Sequence, residues 1–432
     1  MLLQKYIYED LRLEKIKDLG TGRYSFSKGD EKKIKLVKEI ILAVKENGDK
    51  ALLDFAKKWE NRDLNSLKIS RLQLQKIANS LTKQEKRAID MAYKNILNFH
   101  TSLISSFKKV ETMPGVVCWK ESRPIDRVGI YIPGGSAPLL STFLMLGIPA
   151  KLAGVREIVV CTPPQKNDPI IHPALAYISG LLEIDGLNLA GGAQAVAAMA
   201  YGTQSIQKVD KIFGPGNSYV TLAKQLIQLE TQTSIDMPAG PSEVLIIGTE
   251  SSNPDFIASD LLAQAEHGPD SQVVLVSTSE SLLEKVQTSL LVQLNELPRK
   301  EIALKALANS FSLLVKDLKV AFEFSNQYAP EHLILSFPEA ENFKNQVNNA
   351  GSVFLGAYSP ESAGDYASGT NHTLPTSGFA KMYSGVSVES FVKNISFQSI
   401  NPSGLKALAE TITTLAHMEG LDGHARSVTI RL

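Results

Sequence analysis

The chain is poor in groups that would by themselves announce a location or a partner. Its 432 residues include two cysteines and two tryptophans. Cys118 and Cys161 sit in apolar runs, Val116-Val117-Cys118-Trp119 and Ile158-Val159-Val160-Cys161. Both read as small buried hydrophobes, so a disulfide or thiolate metal site gains no support and a reducing compartment fits. No apolar run approaches the roughly 18 residues that span a bilayer. The first ten residues, Met1 to Asp10, carry charges where a secretory leader needs an apolar stretch. A cytoplasmic location is expected. Charge of one sign is missing too: 45 Lys and Arg balance 45 Asp and Glu. That balance speaks against nucleic acid as a partner, which usually calls for a basic excess, and against a polybasic membrane anchor.

What is present is an ordinary globular composition, 44% hydrophobic and 21% charged, in a chain long enough for two to four domains. Up to about residue 110 the pattern is helical. An apolar stripe runs through Ile34, Val37, Ile41 and Val44 and continues at Leu52, Leu53 and Phe55. A second helical stretch is expected from about Leu72 to Phe107, with Thr82-Lys83-Gln84-Glu85 as a capping box. This region reads as scaffold without chemistry of its own. From Val128 the rhythm changes to short apolar strands alternating with helices, and a second such series begins near Glu243. Alternation at this spacing predicts two doubly wound, Rossmann-like parallel-sheet domains of the α/β class, with ligands in a cleft beyond the carboxyl ends of the strands. The expected division is an N-terminal arm over 1–25, a first α/β domain from 26–128 plus 240–385, a second from 129–239, and a tail over 386–432 ending in a helix and a short strand.

Four of only seven histidines fall in stretches rich in metal-binding and proton-moving groups. Gln264 and His267 lie three apart near the end of an expected helix, on one face; alone they are either a metal site or two polar residues at a helix end. Glu331-His332 follows Ala329-Pro330 and enters a strand. The proline should hold Ala329 extended, and the adjacent carboxylate and imidazole offer two bases or a polar strand entry. Residues 364–376, containing Asp365 and His372, lack the apolar period of helix or strand and read as a ligand-binding loop or a solvated linker. Glu419 and His424 sit in what reads as a surface turn. His100, His172 and His417 read as structural. Ala190-Gly191-Gly192-Ala193-Gln194 and Gly214-Pro215-Gly216-Asn217 each join a strand to a helix, where glycines let a phosphate-bearing cofactor approach the backbone. Neither is the dinucleotide GxGxxG, and no ribose-binding acid can be assigned.

Together these stretches resemble the histidinol dehydrogenase family. The matching segments are Tyr131-Ile132-Pro133-Gly134-Gly135, residues 190–195, Phe213 to Asn217, Asp236 to Glu243, Gln264 to Gly268, Ala329 to Leu333, Ser359 to His372, and Glu419-Gly420-Leu421 before His424. They run in order from about residue 25 to the C-terminus. The resemblance implies oxidation of L-histidinol to the aldehyde and then to L-histidine, with reduction of two NAD, by a zinc-dependent homodimer. It implies Gln264, His267, Asp365 and His424 as zinc ligands, and Glu331 and His332 as catalytic bases. Substrate contacts would include these ligands and His332, with Ser242, His372 and Glu419. NAD contacts would fall at Tyr131, Gln194 and Asn217. It also implies that the tail serves dimerisation and completes the site of the partner subunit.

Overall fold

The computed structural model describes residues 2–8, 30–104, 107–134, 139–238 and 240–432. Gly135, Ala239 and most of the expected 1–25 arm lie outside the described residues. Strand β1 (Gln4–Ile7) precedes helices α1 (Asp30–Asn47) and α2 (Asp49–Trp59), strand β2 (Lys68–Ser70), and helices α3 (Arg71–Ala78) and α4 (Lys83–Ser102). A hairpin, β3 (Val110–Met113) and β4 (Val116–Pro124), leads into alternating elements: β5 (Arg127–Tyr131), α5 (Leu140–Leu152), β6 (Glu157–Thr162), α6 (Pro173–Leu181), β7 (Gly186–Leu189), α7 (Gly192–Tyr201), β8 (Lys211–Phe213), α8 (Ser218–Glu230) and β9 (Ser234–Ile235). The second series is β10 (Glu243–Gly248), α9 (Pro254–Ala265), β11 (Gln272–Ser277), α10 (Glu280–Leu294), α11 (Lys300–Ala308), β12 (Phe311–Leu314), α12 (Leu318–Tyr328), β13 (His332–Leu335), β14 (Ser352–Leu355) and α13 (Glu361–Tyr366). The chain closes with β15 (Val392–Ile400), α14 (Pro402–Met418) and α15 (Asp422–Thr429).

Two six-stranded sheets carry the molecule, as the alternation predicts. One has the order β1-β12-β11-β10-β13-β14 and is parallel throughout. The other is β2-β7-β6-β5-β8-β9, parallel except for β2. Helices cover both faces of each, which is why Val244-Leu245-Ile246-Ile247 is apolar without alternation and fully buried. A third sheet, β15-β4-β3, is antiparallel and pairs the tail with the hairpin over Val392–Ile400. No described helix is long and apolar enough to cross a membrane.

Thr82 caps α4 as its sequence predicts. Its hydroxyl accepts from the Glu85 N–H at 3.2 Å, and the Glu85 carboxylate accepts from the Thr82 N–H at 2.7 Å. The single helix expected over 72–107 is therefore two, because the capping box is itself the break. The expected division placed 26–128 with the first, metal-bearing half, whereas α1 to α4 pack on the second sheet: Val37, Ile41 and Val44 share one core cluster with Tyr131 and Val159, and Leu74 and Ile96 another with Val128 and Ile130. At the C-terminus the expected short strand is the helix α15. The descriptions of His100 and His172 hold. His100 is buried at the end of α4, and the His172 ring accepts the Ala174 N–H at 3.2 Å to cap α6.

Candidate active site and metal centre

Ser242-Glu243 enters β10 and Glu331-His332 enters β13, neighbouring strands in which Val244 pairs with His332. Both pairs stand at the amino ends of the first sheet. Gly214 to Asn217, after β8, thus line the cavity from the carboxyl ends of the second sheet, whereas the candidate side chains of the first sheet stand at its amino ends. The crossover helix explains the difference. Between two parallel strands α9 must run back, so its last turn delivers Gln264 and His267 to the amino ends. His267 lies just beyond α9 rather than on it, held by its N–H to the Gln264 carbonyl at 3.2 Å.

Ala329 is not extended. It closes α12 in the left-handed region, φ 52° and ψ 67°, with its N–H on the Ser325 carbonyl at 2.7 Å. The helix cap outweighs the preference of a residue before proline, and the Glu331-His332 pair follows a strained turn. Asp365 is not on a loop either. It belongs to α13, one turn after Glu361, which places the two carboxylates on one face.

One ligand atom each from His267, Glu361 and Asp365 lies within 4.8 Å of the others. Glu361 was not singled out by its sequence; its position four residues before Asp365 is the signal that could have found it. Gln264 is fully buried. With its amide oriented to suit its neighbours, it donates to Glu361 Oε1 and accepts the Glu243 N–H at 2.8 Å. Glu243 is a second residue missed. Its N–H also donates to Glu331 Oε2 at 2.9 Å, and its Oε1 accepts from the N–H groups of Glu331 at 3.2 Å and Ser377 at 3.1 Å. His332 Nδ1 faces the Glu243 carbonyl oxygen at 3.3 Å and the carboxylates of Glu331 and Glu361 at 3.6 Å, all acceptors, so Nδ1 carries the proton. His332 Nε2 lies 3.6 Å from Asp365 Oδ1.

Burial pushes the Glu331 carboxyl up to about 8 and holds Glu361 well above the usual carboxylate range. Burial opposes charge on His332, but Glu361, Glu331 and Asp365 outweigh it and raise the imidazole. Burial would raise Asp365 as well; the His332 ring 3.6 Å away, with the imidazoles of His372 and His267, brings it below its ordinary value. His267 keeps an edge open to solvent, yet burial of its ring lowers the imidazole, and burial drives His372 down to about 4. Both are thereby neutral at pH 7, the form that binds metals.

These residues border a cavity of about 630 Å³ between the sheets. Ser242, His267, Glu331 and His372 line it, with Gly214 to Asn217 on the opposite wall. Gln264, His332, Glu361 and Asp365 form the buried layer behind. His372 Nε2 sits 3.5 Å from Thr142 Oγ1, and the Asn371 amide donates to the Met145 carbonyl at 2.6 Å, tying this loop to α5 of the other sheet. Asn217 caps α8, accepting the N–H groups of Tyr219 at 3.1 Å and Val220 at 3.2 Å. The turn before it is clasped by a buried Lys224–Asp236 ion pair: Lys224 donates to the Gly214 carbonyl and Asp236 accepts the Gly214 N–H, each at 2.9 Å. Gly214 has φ 127°, and a Cβ there would meet the Tyr131 carbonyl oxygen at 2.1 Å, so only glycine fits. Tyr131 and Gln194 are buried beside the Ala190–Ala193 turn, and neither lines the cavity. Glu419 and His424 are exposed on the packed pair α14 and α15, and they do not line it either.

The donor set suits a divalent metal. Three carboxyl groups (Glu331, Glu361, Asp365) and the Glu243 carbonyl surround one imidazole, and among the described residues His332 Nε2 and Glu361 Oε2 are buried without a hydrogen-bond partner. A cation relieves that crowding of acid, and mixed imidazole, carboxylate and amide donors at the carboxyl end of a helix favour a zinc-like ion.

The histidinol dehydrogenase family model matches residues 25–432. Histidinol dehydrogenases of Bacteroides fragilis and Bacteroides thetaiotaomicron are 52% and 53% identical to this chain, each covering 92% of it and 92% of the relative. A histidine biosynthesis trifunctional protein of Komagataella pastoris is 49% identical over 93% of this chain, which spans 48% of that longer protein. The crystal structure of histidinol dehydrogenase from Elizabethkingia anophelis superposes with a TM-score of 0.94 at 46% identity, covering 100% of this chain and 98% of that one. With the sheet order, the buried acid–imidazole cluster and these matches in agreement, the chain belongs to the histidinol dehydrogenase family of NAD-dependent oxidoreductases.

Proposed function

We propose that this protein oxidises L-histidinol through L-histidinal to L-histidine, the last steps of histidine biosynthesis, with one zinc ion per subunit and two NAD per turnover. The observation that carries the reading is the convergence of His267, the Glu331-His332 pair and Asp365 from three separate segments on one cleft between two sheets. Gln264, His267 and Asp365 would hold the zinc with His424 of the partner subunit. Bound there, the metal supplies a Lewis-acidic template for an imidazole nitrogen and an amine of the substrate. Glycines at the β8–α8 turn open the backbone to the cavity, as an approaching dinucleotide requires, and NAD supplies the hydride acceptor.

His332 is placed to move the protons. Its Nδ1–H faces the Glu243 carbonyl, so in the neutral ring, which a cation offsetting the surrounding carboxylates would favour, the Nε2 lone pair is free to accept the alcohol proton as the hydride leaves. The 3.6 Å gap to Asp365 is longer than a hydrogen bond, a common condition of catalytic pairs before their ligands close them. Glu331, which lines the cavity, is a stronger base than an ordinary carboxylate once ionised. It would draw a proton from water as that water adds to the aldehyde, and His332 would then take a proton from the hydrate. Ser242, His372 and Glu419 of the partner subunit would orient the substrate. The exposed tail, carrying residues that its own cavity does not receive, supports a homodimer with shared sites.

Absorbance of NADH after mixing protein, zinc, histidinol and NAD tests the reading. Two NADH per histidinol consumed is expected; cofactor reduction that stops at one, or none, contradicts it. Glu331→Gln should slow aldehyde turnover by on the order of a hundredfold while alcohol oxidation changes little. A slower alcohol step alone would refute the division of roles. Zinc restored to chelator-treated protein should raise the melting temperature, since a ligand at 100 times its Kd stabilises by about 2.7 kcal/mol. Asp365→Asn should abolish that rise, and an unchanged rise would remove Asp365 from the metal site.

A further inference from the structure

The helical stretch before residue 110, scaffold by its sequence, sends one carboxylate to the nucleotide-binding edge of the second sheet. Glu60 ends α2. A Cβ on Gly191 would stand 2.5 Å from Glu60 Oε1 and 2.6 Å from Pro163 Cβ, so the three groups share one small space. Gly191 is the N-cap of α7, directly after β7, and Pro163 directly follows β6. Tyr131, the last residue of β5, accepts the Gly192 N–H on its hydroxyl at 3.0 Å and lies within the electrostatic reach of Glu60. Glu60 thus stands at the carboxyl ends of β5, β6 and β7.

The order β7-β6-β5-β8 is that of a dinucleotide-binding sheet, third, second, first and fourth strand, with the reversal between β5 and β8. In such sheets the pyrophosphate lies at the reversal, and an acid beside the second strand binds the adenosine ribose. The loop after β6 carries one acid, Asp168, an exposed residue already bound by Arg62 at 2.7 Å. Glu60 fills that place from another element. Among the described residues no hydrogen bond or ion pair engages its carboxylate, and burial alone pushes it up to about 7. A desolvated, unpartnered carboxylate is costly to keep in a fold, which marks it as a group kept for a ligand.

We propose that Glu60 selects the cofactor: its carboxylate accepts hydrogen bonds from the adenosine ribose hydroxyls of NAD and repels the 2′-phosphate of NADP. The role rests on the NAD dependence proposed above. A 2′-phosphate would bring between one and two further negative charges, about 1.5 to 2 by analogy with other phosphomonoesters, against a carboxylate with little water to screen it.

The test is direct binding of NAD and NADP, without substrate, to the zinc-loaded wild type and to Glu60→Gln and Glu60→Ala, followed by calorimetric titration. The wild type is expected to bind NAD and to prefer it to NADP. Glu60→Ala should lose on the order of tenfold in NAD affinity, the worth of a charge-assisted hydrogen bond. Glu60→Gln should narrow the NAD to NADP ratio by a similar factor. Thermal melting separates this from misfolding. Because the folded-state pKa of Glu60 is raised, its ionised form opposes folding above pH 7, so Glu60→Gln should melt no lower than wild type there. Unchanged affinities and an unchanged ratio in both variants, with NAD still bound, would overturn the role of Glu60 and leave NAD dependence standing. A wild type that binds neither nucleotide would overturn both.

Discussion

His332→Asn is expected to lower kcat for histidinol and for histidinal alike, by about two to four orders of magnitude, the usual contribution of a positioned general base. One imidazole serves both oxidations in this scheme, so neither half-reaction can escape its loss. The surroundings make the assignment specific. Nδ1 is surrounded by the Glu243 carbonyl and two carboxylates, and it cannot act as the base without giving up those contacts. Nε2 is buried with no hydrogen-bond partner among the described residues and faces Asp365, the side on which the metal and substrate would lie. Asparagine keeps a polar group of similar reach but cannot take a proton at neutral pH. Steady-state rates with each substrate, alongside unchanged zinc content, check the prediction. Full histidinol turnover by the variant would move the base elsewhere, with Glu331 the next group in reach.

His424→Ala is expected to be as damaging by a different route. Removing one of the four proposed metal ligands should weaken zinc binding and take kcat down with it, because the substrate template would be lost. Yet His424 is exposed on α15 and does not line the cavity of its own chain. Zinc affinity measured by competition with a chelator should fall by at least about tenfold to a hundredfold, the range seen even for residues that only support a ligand. The fold should hold, since the side chain packs on nothing that the core needs.

Much of the fold was legible in the sequence because parallel strands covered on both faces must be apolar throughout. β5, β6, β10 and β11 announce themselves in this way. The short or exposed strands do not. Lys68-Ile69-Ser70 is too brief for a period, and Val392–Ile400 is largely solvent-facing on both sides. α13 is hidden because its buried residues are Glu361, Gly364 and Asp365, polar or small, with no apolar stripe. The β-branched end of α15 favours a strand by propensity and is overridden by packing on α14. For the site, motif residues were visible singly, and Ser242, Gln264, His267, Glu331, His332, Asp365 and His372 do gather around one cleft. Their placement at the amino ends of the first sheet depends on the return path of α9, which no local pattern records. Glu243 and Glu361 escaped notice because their importance lies in what they touch across the sheet, not in their neighbours along the chain.

The central claim is that each active site takes its bases from one chain and its tail ligand from another. Mixing His332→Asn and His424→Ala subunits under conditions that exchange protomers tests it most directly. In a mixed dimer, one site would combine the intact cavity of the His424→Ala chain with the intact tail of the His332→Asn chain. Random pairing of equal amounts should therefore restore about a quarter of wild-type activity from two inactive proteins. A mixture that stays as inactive as its components, with subunit exchange demonstrated, would show that His424 serves its own chain and would contradict the shared site.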